Sequence, residues 1–194
     1  LADVVAEQSD DEATEIAAEL MVELHAPGQA ALLSRLLPAR ERFQALFERG
    51  EQDRAAGAHS PYAEAAALAD RLFASAGTIT GLHGDLHHEN IMLSQRGWLV
   101  IDPVGLAGEA GFGAANMFYD PVDRDDLCFS PRRIAFMAQA FARALGVDPR
   151  RLLDQAHVYG CLSAAWNAGA GAEDDERRDL TIARLIGQVR DRDF

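Results

Sequence analysis

The sequence predicts a mainly α-helical unit with a small β element near its middle. Three observations lead there. Apolar residues recur at the helical period in residues 10–25, 61–75, 131–146, 149–166 and 175–190. Residues 78–102 break that period and are rich in strand formers separated by turn residues. The unusual polar residues crowd into the same window: "HGDLHHEN" (83–90) holds one Asp, one Glu, one Asn and three His in eight positions.

Taken in order, "DDEATEIAAELMVELH" places Ala13, Ile16, Ala17, Leu20, Met21 and Leu24 on one helical face. Asp10 or Asp11 can cap its start, and Pro27-Gly28 should stop it. Residues 29–50 are expected to continue as helix with a break near Pro38, and 51–60 to form a loop. Ser60-Pro61 reads as an N-cap followed by a first-turn proline, opening a helix to about Ser75. "TITGLH", "NIML" and "WLVID" are short strand candidates, with "SQRG" as a turn between the last two. Ser130-Pro131 opens a helix that stops at Gly146, and Asp148-Pro149 opens the next. Residues 175–190 form a last amphipathic helix bearing Leu180, Ile182, Ala183, Leu185 and Ile186. "EDDE" (173–176) suits a helix N-terminus, although it could also attract a cation.

Composition narrows the function classes. The 194 residues are 48% hydrophobic and 25% charged, which is ordinary for a globular domain. No apolar run approaches the ~20 residues needed to cross a bilayer, and the acidic first dozen residues do not read as a signal peptide. A net charge of -13 disfavours nucleic acid and anionic membranes and favours a cationic ligand. Cys128 and Cys161, far apart and without metal-type spacing, read as buried thiols of a cytoplasmic protein.

The chemistry sits around the β element. Asp85 and Asn90 lie five residues apart on a loop between two strand candidates, and Asp102 ends "WLVID". A hairpin through "SQRG" returns Asp102 to the side of that loop. Hard oxygen ligands of this kind suit Mg²⁺, which keeps waters and shares substrate phosphates. A further carboxylate beside them can accept a proton from a hydroxyl. Protein kinases use the same Asp-to-Asn spacing. Each residue also has a plainer reading: Asp85 capping a turn, Asn90 bonding its own loop, Asp102 ending a strand. His83, His87 and His88 invite a zinc reading, but adjacent residues of an extended chain point to opposite sides.

"LHGDLHHENIML" followed by "GWLVIDPVGLAGEAGF" resembles the catalytic segment of the aminoglycoside phosphotransferases, most closely their streptomycin 6-kinase and hydroxyurea-kinase branch. "LMVELHAP" (20–27) and "LSAAW" (162–166) resemble the same branch. The resemblance implies a protein-kinase-like C-terminal lobe over residues 1–194, with a catalytic segment at 78–116 and the N-terminal nucleotide lobe absent from this chain. It implies Asp85 as catalytic base, Asn90 and Asp102 as Mg²⁺ ligands, and His83 as a brace. ATP would be the co-substrate, and the acceptor a hydroxyl of a cationic aminoglycoside such as streptomycin.

The chain departs from that pattern at several points. It contains no lysine, so no phosphate-cradling Lys is available, and no glycine-rich strand-loop-strand precedes residue 81. In "GEAGFGAAN" (108–116), Ala110 stands where the family has Pro, and Gly113 where it has a loop-steadying Asp. Val104 follows Asp102-Pro103 where Lys is common. A second reading therefore stands beside the kinase: a truncated, non-catalytic lobe that binds a small molecule or a protein.

Overall fold

The computed structural model describes residues 1–7, 9–25 and 30–194. Its elements follow the local signals where those are strong. After α1 (Ala2–Glu7), α2 spans Asp10–Leu24, burying Ala13, Ala17, Leu20 and Met21 of the predicted face and half-burying Ile16 and Leu24. Ser9, rather than Asp10 or Asp11, occupies the N-cap position. The two aspartates lie in the first turn and reach across to Arg133 and Arg132 instead. The expected stop at Pro27-Gly28 lies outside the described residues.

The helix expected over 29–50 breaks at Pro38 as predicted, but it is also divided further. The chain makes α3 (Ala30–Leu33), a two-residue strand β1 (Leu37–Pro38), α4 (Ala39–Arg42) and α5 (Gln44–Ala55). Proline explains the break, since it has no N–H for the helix ladder and holds the preceding residue extended. The predicted loop at 51–60 shortens because α5 runs through Ala55.

Three later helices start where cap chemistry places them. Ser60 accepts a hydrogen bond from the Ala63 N–H at 3.1 Å and opens α6 (Pro61–Ala74). Further along, α9 (Pro131–Leu145) begins at Ser130 and ends on Gly146 at φ 64°. Asp148 accepts from the Arg151 N–H at 2.9 Å and opens α10 (Pro149–Ala170). Each such cap is worth about 1 kcal/mol. The last helix, α11 (Glu173–Asp193), starts on the acidic run as the macrodipole favours. Between the halves lie α7 (Ala110–Ala114) and α8 (Asp125–Cys128).

The β element is larger than predicted and divides in two. A hairpin pairs β3 (Ile91–Ser94) with β4 (Gly97–Val100), in the register Ile91↔Val100 to Ser94↔Gly97. A separate three-stranded sheet has β5 (Leu106–Gly108) at its centre, parallel to β1 and antiparallel to β2 (Thr80–Leu82). β1 and β5 were not anticipated.

α10 forms the spine, buried through Leu152, Leu153, Ala156, Leu162 and Ala165 against α6, α9 and α11. Phe43, Phe73 and Phe112 close the core beside the three-stranded sheet, with ring centroids 5.0–5.4 Å apart. Both cysteines are free and buried, and burial pushes the Cys161 thiol up to about 12. Among the described residues no helix is long and apolar enough to cross a membrane.

Candidate active site

The loop from β2 to β3 carries the crowded motif, and its backbone explains its small residue. Gly84 has φ 87°, and a Cβ there would come within 2.9 Å of Leu106 Cγ. Only glycine lets His83 and Asp85 turn this tightly against β5. His83 is 6% exposed and fixed at both ring nitrogens. Its Nδ1 accepts from the Asp85 N–H at 3.3 Å, so Nε2 carries the proton and donates to the Ile101 carbonyl at 2.8 Å. The Gly105 N–H closes the bracket on the His83 carbonyl at 2.9 Å. His83 therefore ties the Asp85 loop to the residue preceding Asp102.

Asp85, Asn90 and Asp102 come to one edge, as the hairpin argument required. The Ile101 N–H donates to the Asn90 carbonyl at 3.0 Å, extending the hairpin ladder by one pair. Asn90 Nδ2 donates to the Asp85 carbonyl at 2.9 Å, and its Oδ1 accepts from none of the described residues. Asp102 is exposed, without a hydrogen-bond partner among the described residues, and has φ 58°. Left-handed backbone at a non-glycine residue is uncommon and gathers at functional sites. An amide oxygen and a carboxylate, both hard and free, fit Mg²⁺ shared with phosphates and water.

Asp85 itself is half-buried, and its Oδ1 accepts from Asn116 Nδ2 at 3.1 Å. Asn116 closes the "GEAGFGAAN" motif. Its motif membership was visible in the sequence, but its partner was not. At the other end of that motif, Glu109 is gripped by Arg151 at 2.6 Å and by Gln155 at 2.9 Å. This anchors the start of α7 to α10.

The histidines separate by role. His88 is buried and donates both its backbone N–H, at 2.8 Å, and Nδ1, at 2.5 Å, to Asp120 Oδ2. Burial pushes the Asp120 carboxyl up, but the two His88 bonds and the nearby His88 and His87 charges outweigh it and hold the carboxyl below its ordinary value. Two arginines in turn pin the Asp120 segment. Arg133, paired with Asp10, donates to the Asp120 carbonyl at 2.8 Å, and Arg178 donates to the Tyr119 carbonyl at 2.9 Å. His88 begins the 3-10 turn that ends at Asn90, so this network carries through to a candidate metal ligand. The sequence gives no sign of the Asp120 contact.

Gly113 does not leave the loop unsupported, because Asn116 and Asp120 hold it. Its missing side chain shows elsewhere. A Cβ at Gly113 would lie 3.5 Å from the His25 ring, and His25 Nδ1 is buried with no partner among the described residues.

A cleft of about 620 Å³ opens over Asp85. His87, Glu89, Asp120 and Asp123 line it together with Tyr159 and Trp166. Burial and the Asp85 charge raise the Tyr159 phenol, while the Arg42 charge opposes them. The cleft joins carboxylates to aromatic faces, with the Arg42 guanidinium also on its lining.

Helices surround a β hairpin that brings Asp85, Asn90 and Asp102 to its edge, in a kinase-like fold. A choline kinase from Cryptosporidium parvum shares the fold at a TM-score of 0.58 and 14% identity, over 94% of this chain and 66% of that one. Residues 1–171 match the aminoglycoside/hydroxyurea antibiotic resistance kinase family, and the chain belongs to it. It is 39% identical over 175 residues to a streptomycin 3''-kinase of Klebsiella pneumoniae, covering 88% of this chain and 63% of that protein. It is 29% identical over 111 residues to a streptomycin 6-kinase of Streptomyces glaucescens, covering 54% and 35% respectively. The chain thus spans less than two thirds of the length of either relative.

Proposed function

We propose that residues 1–194 form the C-terminal lobe of a cytoplasmic, ATP- and Mg²⁺-dependent phosphotransferase acting on a hydroxyl of an aminoglycoside-type antibiotic such as streptomycin. The observation that carries this reading is the setting of Asp85. Its carboxylate is oriented by Asn116 on the wall of an acidic, aromatic cleft, beside Asn90 and the approach to Asp102.

In this reading the acceptor hydroxyl lies against Asp85 and gives it the proton. The acceptor oxygen bonds to the γ-phosphorus as the bond to the bridging oxygen of ATP breaks, and ADP leaves. Asn90 Oδ1 and Asp102 would hold Mg²⁺, which when bound neutralises phosphate charge. His83 keeps the two halves of the site in register. The glycine-rich loop and lysine that grip nucleotide in kinases would come from outside residues 1–194. Acidic and aromatic groups in the cleft supply affinity for the ammonium groups of the acceptor.

Asp85→Asn in the full-length protein tests this. Transfer to streptomycin should fall by about 10³-fold or more, with drug affinity within about threefold of the parent. Full activity in Asp85→Asn refutes Asp85 as the base. Drug binding without transfer by the parent protein favours the non-catalytic lobe.

A further inference from the structure

The chain compensates for its eighteen basic residues, all arginine, with thirty-one acidic ones, and its buried guanidinium groups are paired with few exceptions. Arg133, Arg151, Arg178 and Arg190 each meet carboxylates at 3.2 Å or less. Arg42 does not. It is half-buried, makes no hydrogen bond or ion pair among the described residues, and its Nε is sealed from solvent without an acceptor. The other arginines without a partner among the described residues are exposed, where water serves them. A guanidinium in this position loses hydration and gains no anion, so some other contact must account for it.

One contact fixes its place. The Arg42 guanidinium lies over the Trp166 ring, 4.9 Å from its centroid, and Trp166 meets Tyr159 edge-on at 6.5 Å. This cation–π contact positions the guanidinium over the ring, and none of its N–H groups meets an acceptor among the described residues. Arg42 lines the same cleft as Asp85, and both charges act on the Tyr159 phenol. Arg42 is the one guanidinium among the residues lining that cleft, which also carry four carboxylates and the imidazoles of His87 and His88.

We propose that Arg42 is a phosphoryl-binding residue that contacts the transferred group in the acceptor cleft. This rests on the phosphotransferase reading. A cationic acceptor brings no anion for Arg42, whereas the phosphoryl group arriving on the acceptor oxygen does. The new phosphomonoester would lie among the carboxylates of Asp85, Glu89, Asp120 and Asp123, and a guanidinium in the same cleft offsets their repulsion. A planar fork matches phosphate oxygens two at a time, which a lysine cannot do.

The test uses Trp166 as the reporter, in full-length protein carrying Trp98→Phe so that it reports alone within this chain. Inorganic phosphate should change Trp166 fluorescence saturably. Arg42→Gln, which keeps the stem, should raise the half-saturating phosphate concentration about tenfold or more, and Arg42→Lys should fall between. In turnover, Arg42→Gln should lower kcat with little change in the acceptor KM. Thermal melting of each variant checks that it is folded. No response to phosphate in the parent, or an equal response in folded Arg42→Gln, overturns the assignment. Transfer that proceeds at parental kcat in Arg42→Gln overturns it too, while leaving the kinase reading intact. Arg42-dependent phosphate binding in a protein that transfers nothing would support the site and remove the kinase reading.

Discussion

Asp120→Ala should be among the most damaging single substitutions outside the hydrophobic core. Asp120 Oδ2 accepts two bonds from His88, at 2.8 and 2.5 Å, and the His88 side chain is 1% exposed. Bonds to a charged acceptor contribute about 1.5–3 kcal/mol each, and breaking one partner of a buried pair costs about 3–5 kcal/mol. Alanine leaves a buried N–H and a ring nitrogen unmet, in a residue whose Nε2 already lacks a partner among the described residues. We expect a loss of roughly 3–4 kcal/mol at neutral pH, or a Tm lower by about 10 °C for a chain of this size. Asp120→Asn keeps an acceptor oxygen without the charge and should lose about half as much. The pH dependence follows from the lowered Asp120 carboxyl. A depressed folded pKa gives stability that is present above the unfolded value of about 3.9 and is lost as pH falls through the folded pKa. The gap between parent and Asp120→Asn should therefore be full at neutral pH and narrow below about pH 4. Urea unfolding of both proteins across that range measures it. A gap under about 0.5 kcal/mol at neutral pH, or one that widens on acidification, would refute the role given to the His88 pair.

The glycines separate in opposite directions. Gly113→Ala places a methyl in ordinary contact with His25 and Leu82 and adds a helix former to α7, so it should raise stability by about 0.5–1 kcal/mol in urea unfolding. Gly113→Asp sets a carboxylate beside His25, whose pKa burial now lowers. NMR titration should show that pKa move upward, and no movement would mean that the two side chains do not meet. Gly160→Ala drives a methyl into the buried Tyr119 ring, whose hydroxyl donates to the Ala156 carbonyl at 2.9 Å. It should cost about 3 kcal/mol or more, and a thermal melt within about 2 °C of the parent would show that α10 yields there.

Much of the helical frame was legible because its signals are local. Ser60-Pro61, Ser130-Pro131 and Asp148-Pro149 carry a cap and a first-turn proline within two residues, and each begins the helix expected of it. The approach of Asp102 to the Asp85–Asn90 loop was legible too, since a hairpin through "SQRG" returns the chain there. β1 and β5 were invisible for the opposite reason. Strands of two or three residues have no periodicity to read, and β1 exists because Leu37 and Pro38 meet Leu106 and Ala107 across the fold. The same limit hid the supports of the site. Asn116 reaches Asp85 from 31 residues away, and Asp120 reaches His88 from 32. Arg42 and Trp166 arrive from opposite ends of the chain. Short-range chemistry writes itself into neighbouring residues. A partner supplied by packing leaves no local mark, because the free energy of that contact depends on where the helices finally lie.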